Sequence, residues 1–279
     1  MSSSSAEITR KAKSNLAFAL GCLPRERRRD LVTFYAFCRI IDDLADDLHR
    51  TPDERRGGLQ QWHDALREPR QDEPTLAAEV REVCQRRAID PQLLHDIIDG
   101  CERDLHPQRF GTWEDLQKYN YQVACAVGLA CLPIFGATDE ARPYAITLGH
   151  ALQLTNIIRD VGEDLSNGLR IYLPLADLAR FQYTERDLLA RVHDSRFLAL
   201  MHFQADRAAA LFQQAQDLLP SGQQRSLLAP EIMRHIYRTL LDRMRQDQFR
   251  VFDRRYKISK PLKISIMLRE MICSKFSNS

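Results

Sequence analysis

The sequence predicts an all-α fold in a single domain over residues 1–279, and three observations lead there. Apolar residues recur at helical spacing nearly everywhere along the chain. Glycine and proline fall mainly between those periodic stretches, not inside them. Alternating Val-, Thr- and Ile-rich runs bounded by turns, the pattern of strands, are missing. Roughly eight to ten helices fit this pattern, with no internal repeat, long linker or domain boundary.

The elements follow in order. The N-terminal "MSSSSAEITRKAK" is polar, lacks an apolar signal region, and is expected to fray over 1–11. Pro24 opens the first long helix, in which Leu31, Phe34, Tyr35, Cys38, Ile41 and Leu48 follow the i, i+3, i+4, i+7 pattern. Pro52, Gly57–Gly58 and the run from Pro69 to Pro74 punctuate the next stretch. Pro91 sits where a helix starts after Asp90. Pro107 and Gly111 separate another pair of helices. Residues 144–165, 185–219 and 231–260 contain no proline, and the tail 271–279, "MICSKFSNS", is expected to fray.

Composition narrows the function. With 44% hydrophobic and 28% charged residues, the chain can bury a sizeable core. A formal net charge of +2 gives no global field for nucleic acid. The seven cysteines are scattered, odd in number and form no C-x-x-C pair, as expected of reduced thiols in a cytoplasmic protein. No uncharged apolar stretch is long enough to cross a bilayer. The segment 254–275 mixes Arg254, Arg255, Lys257, Lys260, Lys263, Arg269 and Lys275 with apolar residues, which suits peripheral contact with the inner face of a membrane.

Two acidic elements carry the chemistry. "FYAFCRIIDDLADDL" places Asp42, Asp43, Asp46 and Asp47 directly after its most hydrophobic turn. Aspartate is a poor helix former, and Asp42/Asp46 and Asp43/Asp47 are like-charge i,i+4 pairs that repel. Something positive is expected opposite them. "QLTNIIRDVGED" stacks Asn156, Asp160 and Asp164 along one helix face, with Gln153 one turn from Asn156. Carboxylates buried without partners are too costly to keep, and hard divalent cations resolve that cost. Mg²⁺ takes oxygen ligands and bridges to substrate phosphates. Histidine and cysteine constellations at zinc spacing are missing, as is a glycine-rich phosphate loop. Two readings therefore fit the spacing: solvated helix faces, or a Mg²⁺–diphosphate site.

The same stretches resemble the squalene/phytoene synthase family of head-to-head isoprenyl diphosphate synthases. "LPRERRRDLVTFYAFCR" and "YAFCRIIDDLADD" resemble the run into the first acidic motif. "LQLTNIIRDVGEDLSNGLRIYLP" resembles the second motif, and "YNYQVACAVGL" the segment between them. The resemblance covers residues 12–260 and implies an isoprenoid-synthase-type domain around a central cavity. It implies Asp42, Asp46, Asn156, Asp160 and Asp164 as Mg²⁺ ligands, with Mn²⁺ as a substitute. It implies contacts to diphosphate and reacting carbons from Tyr35, Arg39, Tyr119 and Arg159, with Gln153 in the pocket. Val123, Ala124, Gly128 and Gly149 match small-residue positions between which prenyl tails pass; close helix packing is the other use of such residues. "KSNLAF" departs from the family by offering Leu16 where an aromatic residue is usual, with Phe18 two residues on, and Asp164–Arg170 is one residue longer than usual.

The implied reaction joins two farnesyl diphosphates through a cyclopropylcarbinyl diphosphate to presqualene diphosphate or squalene. The "IDDLADD" form looks more like bacterial enzymes of that kind. The alternative is a phytoene or dehydrosqualene synthase of carotenoid biosynthesis, and a remote one is a non-catalytic helical assembly factor. NADPH use stays open, since reductive quenching gives squalene and proton loss gives phytoene.

Overall fold

Helix boundaries fall where the chain supplies its caps. The computed structural model describes residues 23–276, which are helical and contain no strand. Leu16, Phe18, Cys22 and the fraying expected over 1–11 lie outside the described residues. Helix α1 (Arg25–Asp46) starts directly after Pro24. Thr51 and Glu54 form a capping box at the start of α2 (Pro52–Arg67), with Pro52 in the first helical position. Helix α3 (Ala77–Arg87) ends on Ala88 at φ 52°. The Asp90 side chain caps α4 (Pro91–Arg103) by accepting from the Gln92 amide, as Pro91 foretells. A second capping box, Thr112 with Asp115, opens α5 (Trp113–Asn120).

Helix α5 passes without a break into a π-helical turn, Tyr121–Cys125, and then into α6 (Ala126–Phe135), which closes on Gly136 at φ 79°. A 3₁₀ turn (Asp139–Ala141) leads into α7 (Arg142–Ser166), 25 residues long. Then come α8 (Leu175–Arg180), α9 (Glu185–Leu189), α10 (Ser195–Asp217), α11 (Leu228–Gln246) and α12 (Lys260–Phe276). The described residues thus hold more helices than the eight to ten expected. The excess lies in α8 and α9, six and five residues long, too short for a helical period to register. The chain also stays helical through Phe276 where fraying was expected from 271. Leu262, Ile266 and Met267 pack on the core and Glu270 is buried, so α12 is held by its inner face.

Helix α7 is the axis of the fold. It packs against α10, the π turn, α6 and α11, while α1 packs against α2, α3, α4 and α6. The two acidic helices therefore both pack against α6. Close crossings need small residues. A Cβ on Gly149 would lie 2.8 Å from the Cys125 Cα, and one on Gly162 would lie 2.4 Å from the Val251 carbonyl oxygen. The apolar turn of α1 that precedes the aspartates is anchored by Phe34, Phe37 and Trp62, with ring centroids 6.1 and 5.3 Å apart. Burying each such side chain contributes about 1.5–3 kcal/mol, which lets α1 carry four aspartates at its end.

Candidate active site

The positive partners expected opposite the first acidic run are Arg39 and Arg170. Arg39, one turn upstream, reaches Asp42 at 2.9 Å and Asp43 at 2.5 Å. Arg170, 124 residues away, donates from Nη1 to Asp46 Oδ1 at 2.7 Å. Asp47 is occupied locally, where its carboxylate accepts from the His49 amide at 3.1 Å and pairs with Arg50. Burial and the neighbouring Asp46 carboxylate push the Asp42 carboxyl up to about 6. The same side chain is 52% exposed, so water tempers that shift. Tyr35 is half-buried within electrostatic reach of Arg39.

On α7, Asp160 is clasped from two sides. Arg159 donates Nε to Oδ1 at 2.8 Å and Nη2 to Oδ2. Arg255 approaches Oδ1 at 3.1 Å and also pairs with Glu163 at 3.0 Å. Burial and the Asp160 charge push the Asp164 carboxyl up to about 8. Asn156 donates weakly to Gln153 at 3.4 Å, while its buried Oδ1 has no hydrogen-bond partner among the described residues.

Asp104, at the C-terminal cap of α4, ties the two helices together. Its carboxylate accepts from the Tyr119 hydroxyl at 2.6 Å and the Tyr172 hydroxyl at 2.9 Å. Its carbonyl accepts from Arg170 Nη2 at 3.1 Å. One guanidinium thus links the end of α1, the end of α4 and the segment after α7. Asp104 also lies within electrostatic reach of Asp42 and Asp164. Tyr119 and Tyr172 stack at 5.3 Å, Phe110 joins Tyr119 at 5.3 Å, and Arg103 lies over both Phe110 and Tyr119. Burial pushes the Tyr119 phenol well up, so it stays a donor.

The structure brings Arg39, Asp42 and Asp46 to one side, Gln153, Asn156, Arg159, Asp160 and Asp164 to the other, and Tyr119 between them. Val123 and Ala124 are half-buried on the π turn. Gly128 and Gly149 sit at the crossing with their neighbours, Gly128 3.3 Å from the Ala145 carbonyl oxygen by its missing Cβ. Both glycines thus serve close backbone approach. Asp104, Arg170, Tyr172 and Arg255 escaped the sequence reading as site residues. Arg170 and Tyr172 stand in "RIYLP" at the end of the second-motif stretch, which was a usable signal; Arg255 was read only as part of the basic segment 254–275, and Asp104 stands in no local pattern.

The all-α bundle that carries these two carboxylate helices has the isoprenoid synthase class of fold, which the solved structures below share. Within that class the chain belongs to the squalene/phytoene synthase family, whose model matches residues 9–261. A 15-cis-phytoene synthase of Synechococcus elongatus is 37% identical over 257 residues, covering 85% of this chain and 82% of its own length. A 15-cis-phytoene synthase of Synechocystis sp. is 35% identical over 280 residues, covering 92% of this chain and 82% of its own. A dehydrosqualene synthase solved in complex with ligand superposes with a TM-score of 0.85 at 28% identity, over 97% of this chain and 95% of that one. The squalene synthase HpnC from Alicyclobacillus acidocaldarius gives 0.74 at 27% identity, over 88% and 93%. The family is one of prenyltransferase-type enzymes.

Proposed function

We propose that this chain condenses two geranylgeranyl diphosphates head to head, as a phytoene-type synthase. The observation that carries the chemistry is the pair of acidic helix faces joined through Arg170 and Asp104. The substrate follows from the relatives: those at 37% and 35% identity are both 15-cis-phytoene synthases. That similarity outweighs the "IDDLADD" pattern, which favoured farnesyl diphosphate and a squalene-type product.

The donor set fits a hard cation. Only oxygen ligands are offered, the Asp164 carboxyl is pushed up by burial and its acidic neighbour, and Asn156 Oδ1 is buried without a partner. Asp42, Asp46, Asn156, Asp160 and Asp164 would hold Mg²⁺, or Mn²⁺ in its place. The bound cation supplies neutralisation of the diphosphate leaving group. Arg39, Arg159, Arg170 and Arg255 offer charge-assisted hydrogen bonds to phosphate oxygens. The hydroxyls of Tyr119 and Tyr172 hold the Asp104 carboxylate between the two acidic faces. Val123 and Ala124 offer apolar surface to the prenyl chains and help exclude water from the cation. Loss of a proton ends the phytoene route, so NADPH has no part in it. A non-catalytic assembly factor would have no use for a buried, unpartnered Asn156 oxygen.

The test is incubation of the purified chain with radiolabelled geranylgeranyl or farnesyl diphosphate and Mg²⁺, with and without NADPH. Phytoene from the longer substrate without NADPH is expected. A higher kcat/KM for farnesyl diphosphate, with squalene formed only with NADPH, would restore the squalene reading.

We further propose that α12 rests on an anionic bilayer. Ile264, Leu268 and Ile272 are 44%, 51% and 57% exposed and follow one another at i+4 steps. Lys260 continues that row, and Lys263 and Arg269 flank it. No helix among the described residues is long and apolar enough to cross a membrane. Each basic residue near an anionic surface contributes about 1 kcal/mol. Co-sedimentation is expected with phosphatidylglycerol vesicles, weakened by Leu268→Glu, and much weaker on phosphatidylcholine. Equal binding to both, or binding to neither, sinks this docking mode.

A further inference from the structure

We propose that His63, Asp99 and Glu102 form a second cation site, for a borderline divalent transition metal such as Zn²⁺, where α2 crosses α4. None of these residues belongs to the acidic motifs. His95, Asp99 and Glu102 stand at i, i+4 and i+7 on α4, one helix face, and His63 comes from α2.

One donor atom from each of His63, Asp99 and Glu102 lies within 4.8 Å of the other two. His63 Nε2 is already 3.2 Å from Asp99 Oδ1. With metal bonds of about 2.0–2.2 Å, ligand atoms sit roughly 3–4 Å apart, so a small contraction completes the set. Two oxygens and one imidazole leave positions for water, and the imidazole favours Zn²⁺, Co²⁺ or Ni²⁺ over Mg²⁺.

The histidine is preset to act as a ligand. Its side chain is 10% exposed, so it cannot swing away freely. Its Nδ1 meets His95 Nδ1 at 2.7 Å, with ring planes 9° apart. That contact requires one ring to donate and the other to accept. A metal on Nε2 puts the proton on His63 Nδ1, and His95 accepts it. Outer partners of this kind fix the tautomer of a ligating histidine.

Arg56 is the competing cation. It donates Nε to Glu102 Oε1 at 3.0 Å and also reaches Asp53 and His106. The second Glu102 oxygen and the Asp99 carboxylate, whose Oδ1 already faces His63 Nε2, remain for a dication. A second His–Glu group among the described residues differs. Glu231, His235 and Glu270 also cluster, but Arg234 and Tyr144 already occupy the Glu231 carboxylate. Occupancy at His63 would fasten α2 to α4, the helix whose last turn delivers Asp104 to Tyr119 and Tyr172.

The test uses the full chain, stripped with chelator and dialysed against Zn²⁺ in millimolar Mg²⁺, with Co²⁺ absorption as a second readout. One equivalent of Zn²⁺ at micromolar affinity or tighter is expected, with visible Co²⁺ bands. Asp99→Asn and His63→Gln should each weaken binding about 10-fold or more, while Asp42→Asn and Asp160→Asn keep it. Asp99 is 48% exposed, so its variant is read even if His63→Gln fails to fold. The proposal is overturned if the wild-type chain binds no Zn²⁺ under these conditions. It is equally overturned if binding survives Asp99→Asn unchanged, or is lost in Asp160→Asn instead.

Discussion

Asp160→Asn is expected to lower product formation by about 10²–10³-fold, the scale of losing one charge-stabilising group at a reacting centre. Asparagine keeps the shape of the side chain but removes the charge that Arg159 and Arg255 enclose. Helical content should be unchanged by circular dichroism, which separates loss of chemistry from loss of fold. Asp42→Asn on the opposite helix should behave alike, because the proposal needs both faces. Turnover is measured as radiolabelled hydrocarbon released at saturating Mg²⁺. If either variant stays within about threefold of wild type, against the loss expected above, that residue is not a ligand.

The largest loss of stability is expected from Glu231→Ala. Glu231 on α11 accepts from the Tyr144 hydroxyl at 2.8 Å and from Arg234 Nη2 at 2.8 Å, and all three residues are buried. Removing the carboxylate leaves a buried guanidinium without its counter-charge and a buried phenol without its acceptor. Breaking such a pair costs about 3–5 kcal/mol. At about 2–4 °C per kcal/mol for chains of roughly this size, Tm should fall by around 10 °C. Glu231→Gln keeps an acceptor for Tyr144 and should lose less. Calorimetry decides it: a Tm within about 2 °C of wild type for the alanine variant, under 1 kcal/mol on that scale, would show that this network contributes little.

The long helices were legible because their signals are local. Pro24, Pro52 and Pro91 mark starts, and the apolar spacing of α1 and α7 runs for many turns. The short α8 and α9 were not, because six or five residues span fewer than two turns. The acidic faces were readable for the same reason as the helices: i+4 spacing is visible in one dimension. The link between them was not. Asp104, Tyr119 and the Arg170–Tyr172 stretch come from three separate segments, and only the fold brings them together. Small residues were ambiguous in principle, since a channel and a tight crossing ask for the same side chains. At Gly149 the backbone of Cys125 decides for the crossing.

The π turn at Tyr121–Cys125 acts as a phase shifter within what is otherwise one rod. A wider turn advances fewer degrees per residue, so the helix after it is rotated relative to an uninterrupted α-helix. Tyr119 and Ala126, seven residues apart, would share a stripe on a regular helix, and the wider turn between them offsets the two. The first half can therefore aim Tyr119 at Asp104 while the second half follows its own alignment onto α7. The turn itself touches both α4 and α7. In evolutionary terms such a segment is indexed by its length: losing one residue between 121 and 125 would return the rod to a single phase and misalign one half or the other, whatever residues remained. The constraint on this stretch is thus on residue count before it is on residue identity.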